Sequence, residues 1–189
     1  MDHTTTLRRA RMTDLAAVDR LLQRSYPRLL KADYLPSTLV LCLPIIARAK
    51  PELVQSGRYF VAEDEEGRII GAGGWSGALP RGGVAGRGAG AEAVSGGEGA
   101  MDAAGAGIGH VRHVAVDPDR LRAGVGRALL GEVFVDALRH GIRWLDCLST
   151  RTAVPFYQSL GFRVLHEVEI GLAPGIVFPA IRMMRQIAP

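Results

Sequence analysis

In the first half of the chain, some segments alternate apolar and polar residues at the spacing of a strand, and others repeat apolar residues at the spacing of a helix. The pattern therefore predicts both strands and helices. Leu15, Val18 and Leu22 recur at helical spacing, so they form one apolar face of a helix. Pro44 interrupts a second apolar segment, and Pro51 ends it. The predicted elements are a strand at residues 5–9, a helix capped by Thr13, an apolar and partly helical segment at 39–49 capped by Ser37, and a hairpin of strands at 59–63 and 69–75.

In the second half of the chain, segments with the spacing of a strand and segments with the spacing of a helix follow one another in a regular order. Val125, Leu129 and Val133 recur every four residues, so a broad helix face packs on a sheet, and Gly141 ends that helix. The predicted elements are a strand at 108–117, this helix to about residue 140, a strand at 144–149, a helix at 153–160, and strands at 162–170 and 177–184. This order predicts a mixed α/β fold with a right-handed crossover and a sheet covered by helices.

A Gly/Ala-rich segment at about residues 81–107 interrupts this order. Glycine is costly to order and the segment has little apolar surface to bury, so we predict a mobile insertion between two strands. Its end, Gly105-x-Gly107-x-Gly109, resembles a nucleotide-binding fingerprint. That fingerprint requires a strand before it and a helix after it, whereas a strand follows here, and we reject it. The whole chain, residues 1–189, is predicted to be a single domain.

Composition and charge exclude several classes of protein. No apolar run is long enough to cross a bilayer, and the N-terminus has no apolar stretch after its basic residues, so a cytoplasmic protein without a secretory signal is expected. The net charge is +4, but the 23 basic residues form no stripe with interleaved aromatics, so neither a nucleic-acid nor a membrane partner is expected. Cys42, Cys147 and the scattered histidines predict neither a disulfide framework nor a metal site.

One basic cluster differs from the rest because it flanks a glycine turn between a predicted strand and a predicted helix. The turn reads Arg122-Ala123-Gly124-Val125-Gly126-Arg127. Small residues there let backbone N–H groups converge on an anion at the helix N-terminus, and the two arginines add positive charge. A diphosphate would suit such a site, although an isolated Gly-x-Gly is more often only a tight turn.

Two runs of the sequence resemble the signatures of the GNAT superfamily of N-acetyltransferases. The first is Val114-Ala115-Val116-Asp-Pro, followed by the glycine turn just described, and the second is Ala153-Val-Pro-Phe-Tyr157-Gln-Ser-Leu-Gly161-Phe162. Two positions depart from the family's pattern, since Leu121 stands at its Gln/Arg position and Thr150 replaces a frequent Asn. The resemblance implies a twisted mixed sheet of about six to seven strands with helices on both faces. It also implies acetyl-CoA as the cosubstrate, bound where two central strands splay apart.

The resemblance assigns roles to particular residues of this chain. Backbone groups of Val114 and Val116, on either side of Ala115, would bind the pantetheine arm and polarise the thioester carbonyl. Amides of the glycine turn would bind the pyrophosphate, and the hydroxyl of Thr150 would replace the polar contact of the missing Asn. Tyr157 occupies the family's tyrosine position and is the candidate acid that protonates the leaving thiolate.

His110 is the candidate general base, because related enzymes often carry Glu or His at this strand position and a histidine titrates near neutrality. Strand alternation places His110 on the face of Arg112, Val114 and Val116. The same alternation places His113 on the opposite face, where a structural role is expected. A strand histidine without a catalytic function is the alternative interpretation of His110.

The sequence indicates fewer residues for the acceptor-binding part of the site than for the cofactor-binding part. Tyr26, Tyr34 and Trp75 are candidates for lining it, and the acceptor is expected to be an amine of a small molecule or a peptide. Two other functions stay open: a noncatalytic coenzyme-A-binding sensor, which needs neither catalytic residue, and an acyltransferase that uses a longer acyl-CoA. A Rossmann-type oxidoreductase fits poorly, because Leu129 stands where the third glycine of its fingerprint belongs. A homodimer is neither predicted nor excluded by the sequence.

Overall fold

The computed structural model describes residues 5–77, 84–86 and 107–188. The helices in this part of the chain are α1 (Leu15–Leu30), α2 (Pro36–Ile46), α3 (Pro51–Gln55), α4 (Val125–Arg139) and α5 (Val154–Ser159). The strands are β1 (Thr6–Arg9), β2 (Tyr59–Glu63), β3 (Ile69–Ser76), β4 (Val84–Gly86), β5 (Gly107–Val116), β6 (Ile142–Ser149), β7 (Arg163–Ala173) and β8 (Ile176–Gln186). Short 3₁₀ turns precede α1, α4 and α5 at Met12–Asp14, Pro118–Arg120 and Arg151–Ala153.

The described strands form one mixed sheet in the order β1-β2-β3-β5-β6-β8-β7-β4. β5 and β6 run parallel and are joined through α4, whereas the other described neighbours run antiparallel. The predicted mixed α/β sheet is confirmed, with seven of the predicted strands and the short β4 at the edge beside β7. β4 lies within the predicted insertion at about 81–107, and most of that segment is outside the described residues.

Helices cover both faces of the sheet because successive strand residues point to opposite sides. On one face, α4 and α5 pack on strand residues that include Phe60, Ala62 and Leu145. On the other face, α1 packs on Val61 of β2 and Ala72 of β3. Both side-chain sets are buried, so the central strands read as almost continuous apolar runs in the sequence.

Three helix boundaries differ from the sequence prediction. Thr13 lies inside the 3₁₀ turn Met12–Asp14 and does not cap α1, which is preceded by Asp14. α2 begins at Pro36, whose lack of an N–H costs little at a first helical position, so Ser37 lies within the helix and is not its cap. Pro51 follows the second apolar segment as predicted, but it also begins α3.

β5 and β6 separate part-way along their length, as the predicted splay requires. Their parallel pairing runs from Gly107 and Ile142 to the rung formed by His110 and Asp146. Beyond that rung β5 continues in its pairing with β3, and β6 continues in its pairing with β8. The facing edges of the two strands are thereby left open to a ligand.

Candidate active site

A cleft of about 810 Å³ opens where β5 and β6 separate. It extends from the strand edges to the first turns of α4 and α5. Nearly all of the predicted cofactor-binding residues line it, namely Val114, Ala115, Val116, Arg122, Gly124, Val125, Gly126, Arg127 and Thr150. Ala123 is the member of the predicted set that does not line it. The fold therefore gathers two distant stretches of sequence around one cavity.

The glycine turn forms the end of the cleft at α4. Gly124 has a φ of +80° and Arg122 a φ of +63°, left-handed conformations that direct the chain into the helix. The amide of Ala128 donates to the carbonyl of Gly124, so the earlier N–H groups of the helix lack intrahelical partners. Side chains of Arg120, Arg122 and Arg127 surround the same end of the cleft. Together these amides and guanidinium groups can bind an anion such as a diphosphate.

Tyr157 lines the cleft from α5. Its ring meets those of Phe156 and Phe162 edge-on, with centroid separations of 5.2 and 5.3 Å. Its hydroxyl lies close enough to the thiol of Cys147 on β6 for the two groups to influence each other's pKa. Burial, together with the neighbouring Cys147, raises the pKa of Tyr157 well above its ordinary value. The phenol is thus a protonated hydrogen-bond donor at neutral pH.

A β-bulge in β5 changes which of its residues share a face. His113 and Val114 both lie opposite the single residue Gly73 of β3, the arrangement that defines a bulge. His113 accommodates the extra residue with a φ of +46°, a rare conformation for a residue other than glycine. Val111 and Val114 consequently pack in the same apolar cluster, although they are three positions apart.

The predicted grouping of His110 with Val114 and Val116 is therefore wrong. Successive side chains of β5 alternate between the two faces of the sheet only up to the bulge. Beyond the bulge the alternation continues, but it is shifted by one residue. Val111, Val114 and Val116 contact the cluster under α4, and His110 lies on the other face of the sheet. His113, which was expected to lie away from the site, lines the cleft.

His110 occupies the last paired rung before β5 and β6 separate, and it is not one of the described residues that line the cleft. It is 4% exposed, and its Nδ1 is 3.0 Å from Oδ2 of Asp146. Arg182 donates from Nε to Oδ1 of the same carboxylate at 2.9 Å. Nε2 of His110 is buried and has no hydrogen-bond partner among the residues that the structure describes, an uncommon state for a polar atom in a native protein.

His113 is poorly suited to accept a proton from an amine. Burial lowers the pKa of His113 to about 4, and the positive charges of Arg112 and Lys50 add to the effect. The imidazole is consequently neutral at pH 7 and weakly basic. The carbonyl of His113 accepts a hydrogen bond of 2.9 Å from the Tyr59 hydroxyl, a contact that holds the bulge in place.

The three aromatic residues considered for the acceptor side have different positions. Tyr26 lines the cleft. Tyr34 lines a separate groove along α2, and its hydroxyl accepts a hydrogen bond of 2.8 Å from the amide of Arg151. Trp75 is buried in the core at 1% exposure and donates its indole N–H to Asp136 at 2.9 Å. The expectation is thus wrong for Trp75, which has no surface to offer an acceptor.

Asp146 and Arg182 are the site residues that sequence reasoning missed. Asp146 is an acidic residue within the otherwise apolar residues 144–148, and a carboxylate in a buried strand needs a partner. That pattern could have marked Asp146 as unusual. It could not have identified the partners, because each lies 36 positions away in the chain.

Residues 5–77, 84–86 and 107–188 contain no group of three or more His, Cys, Asp or Glu side chains placed to hold a metal ion. None of the helices in the same part of the chain is long and apolar enough to cross a membrane.

Comparisons with known proteins bear on the same fold and site. A sequence model of the acetyltransferase (GNAT) domain matches residues 55–164. A glucosamine 6-phosphate N-acetyltransferase from Trypanosoma brucei brucei is 35% identical over 65 residues, which are 34% of this chain and 44% of that protein. The matched stretch therefore spans less than half of that relative.

Solved structures share the fold over nearly the full chain. A GCN5-related N-acetyltransferase from Rhodopseudomonas palustris superimposes with a TM-score of 0.70 at 17% identity, covering 97% of this chain and 96% of that one. The PaiA N-acetyltransferase from Thermoplasma acidophilum, in complex with coenzyme A, has a TM-score of 0.65 at 13% identity and covers 97% and 99%. The family match includes the glycine turn and the β5–β6 cleft, and the chain belongs to the GNAT acetyltransferase family.

Proposed function

We propose that this protein transfers an acetyl group from acetyl-CoA to a primary amine of a small molecule or peptide by direct attack. The observation that carries the proposal is the β5–β6 cleft, which has an anion site at its α4 end and the protonated Tyr157 in its wall. A diphosphate and a thioester are the two groups of acetyl-CoA that such a cleft suits. Membership of the GNAT family and the coenzyme A bound by the PaiA neighbour support this cosubstrate.

Different residues of the cleft bind different parts of the cosubstrate. Amides at the start of α4 and the arginines beside them bind the pyrophosphate. The open edge of β5, with Val114, Ala115 and Val116 in the cleft wall, offers backbone groups to the pantetheine arm. Thr150 contributes its hydroxyl from the end of β6. Backbone donors already in place stabilise the oxyanion as the tetrahedral intermediate forms.

Acetyl transfer then requires two proton movements. The neutral amine attacks the thioester carbonyl carbon, a C–N bond forms, and the C–S bond breaks with its electron pair leaving on sulfur. His110 takes the proton lost by the attacking nitrogen, and Tyr157 donates to the departing thiolate. His110 lies on the sheet face opposite α4, on the last rung before β5 and β6 separate, and an acceptor that approaches from that face leaves the cofactor in place.

An amine panel with acetyl-CoA tests the function directly. We expect release of free coenzyme A thiol above background with at least one class of amine. The panel should hold small amines, peptides with free N-termini and glucosamine 6-phosphate, the last because a partial relative carries that name. Release without any amine measures hydrolysis and is the control. Tight coenzyme A binding with no thiol release from any acyl-CoA and amine pair would favour the sensor alternative, and release only from longer acyl-CoA would favour the second alternative.

Replacing His110 by alanine (His110→Ala) is expected to change the pH dependence of turnover. The group that accepts the amine proton is lost, so the acidic limb of the kcat profile should flatten or move, and kcat at neutral pH should fall by about 100-fold. Turnover against pH measures both effects. His113→Ala is the matched control, since the pKa of His113 is about 4 and the limb near neutrality should stay in place. A limb unchanged by His110→Ala would assign proton removal to a water chain.

A further inference from the structure

We infer that Asp146, anchored by Arg182, is a positioning residue that holds the His110 imidazole in the tautomer required of a general base. The inference rests on the proposed function, because the base role of His110 belongs to it. It adds a requirement to that role, namely that the proton on Nδ1 is fixed by a buried carboxylate and that Nε2 carries the lone pair.

The three side chains form a continuous polar chain across neighbouring strands. His110 lies on β5, Asp146 on β6 and Arg182 on β8, with contacts of 3.0 Å and 2.9 Å to the two carboxylate oxygens. The Asp146 side chain is 0% exposed and that of His110 is 5% exposed. Both oxygens of the carboxylate therefore have a partner, and the imidazole contacts only one of them.

The charge state of Asp146 decides which ring nitrogen carries the proton. Burial by itself raises the pKa of Asp146, but hydrogen bonds from His110 and Arg182 outweigh it and hold the pKa below its usual value. An ionised carboxylate accepts hydrogen bonds and cannot donate them. Nδ1 of His110 must then be the donor, and in a neutral imidazole Nε2 is the acceptor.

The unpartnered Nε2 favours a functional interpretation over a purely structural one. A histidine that serves only the core normally satisfies both nitrogens, because leaving a buried polar atom unpaired is destabilising. Here Nδ1 is bonded and Nε2 is buried without a partner. The pair also lies on the last rung before β5 and β6 separate, so the two strands stop pairing immediately beyond it.

Nitrogen NMR of the wild-type protein tests the tautomer without any need for activity. We expect the His110 signals of a protonated Nδ1 and an unprotonated Nε2 at pH 7. Asp146→Asn removes the carboxylate at nearly constant volume, and an amide can donate to Nδ1, so the tautomer should shift toward protonated Nε2. A wild-type protein with its proton on Nε2, or a variant with the tautomer unchanged, would overturn the inference. The wild-type measurement decides the matter even if the variant does not fold.

A double-mutant cycle separates positioning from general stabilisation. Asp146→Asn should lower kcat by on the order of 100-fold and change the acidic limb of the pH profile, with a small effect on the KM for acetyl-CoA. In the His110→Ala background the same change should have almost no further effect on kcat, because Asp146 acts through His110. Equal loss in both backgrounds would show a merely structural role.

Asp136 provides a matched control for this cycle. It is also a buried carboxylate that accepts from an arginine and a ring N–H, namely Arg9 at 2.6 Å and Trp75 at 2.9 Å, and it lies on α4 outside the cleft lining. Asp136→Asn should lower thermal stability and leave the pH profile in place. If no amine is acetylated by the wild type, the proposed function fails, whereas the NMR result still tests the inference separately.

Discussion

Replacing Gly126 by aspartate (Gly126→Asp) is expected to lower the affinity for coenzyme A by at least about 100-fold. Gly126 lies in the first turn of α4, whose amides form the proposed anion site. A Cβ at this position would come within 3.0 Å of the Phe156 ring, and the added carboxylate would repel a pyrophosphate. Calorimetric titration with coenzyme A measures the loss.

The fold should survive the same change, because an acidic residue near a helix N-terminus interacts favourably with the helix dipole. Gly131→Asp is the matched control, since it puts the same charge on the same helix at a position with open space around the new Cβ. We expect coenzyme A binding to be nearly unchanged in that variant. A folded Gly126→Asp protein that binds coenzyme A normally would show that the glycine turn is not the pyrophosphate site.

Replacing Tyr157 by phenylalanine (Tyr157→Phe) is expected to lower kcat by on the order of 100-fold or more. The change removes the hydroxyl that donates to the leaving thiolate. The ring contacts with Phe156 and Phe162 do not involve the hydroxyl, so packing and acetyl-CoA affinity should change little. Steady-state kinetics with a saturating amine, together with a binding titration, separates the loss in turnover from any loss in affinity.

Tyr26→Phe is the comparison variant for this experiment, because Tyr26 is another phenol that lines the cleft. Burial raises its pKa, so its hydroxyl is protonated as well, and we expect its removal to leave kcat within a few-fold of wild type. Full activity of Tyr157→Phe combined with a large loss in Tyr26→Phe would reassign the acid to Tyr26. Full activity of both would assign thiolate protonation to a water.

Sequence by itself determined the class of fold, and it was enough to propose the anion-binding end of the cleft. The order of strands and helices follows from apolar periodicity, which is a local property, and it correctly predicted the mixed sheet with its splayed strands. The glycine turn is also local, because residues 122–127 form the turn and the first helical amides in one continuous stretch. No distant contact is needed to see that such a stretch can bind an anion.

The reaction end of the site was decided by the tertiary structure. Alternation along β5 predicts the face of each side chain only while each residue pairs with one residue of the neighbouring strand. At the bulge, His113 and the next residue share a single partner in β3. That one-residue shift places His110 on the face opposite Val114 and Val116, whereas His113 lines the cleft. The partners of His110 likewise depend on how β5, β6 and β8 lie side by side. Strand pairing joins residues far apart in the chain, so the contact between His110 and the Asp146 carboxylate becomes visible only in the folded sheet.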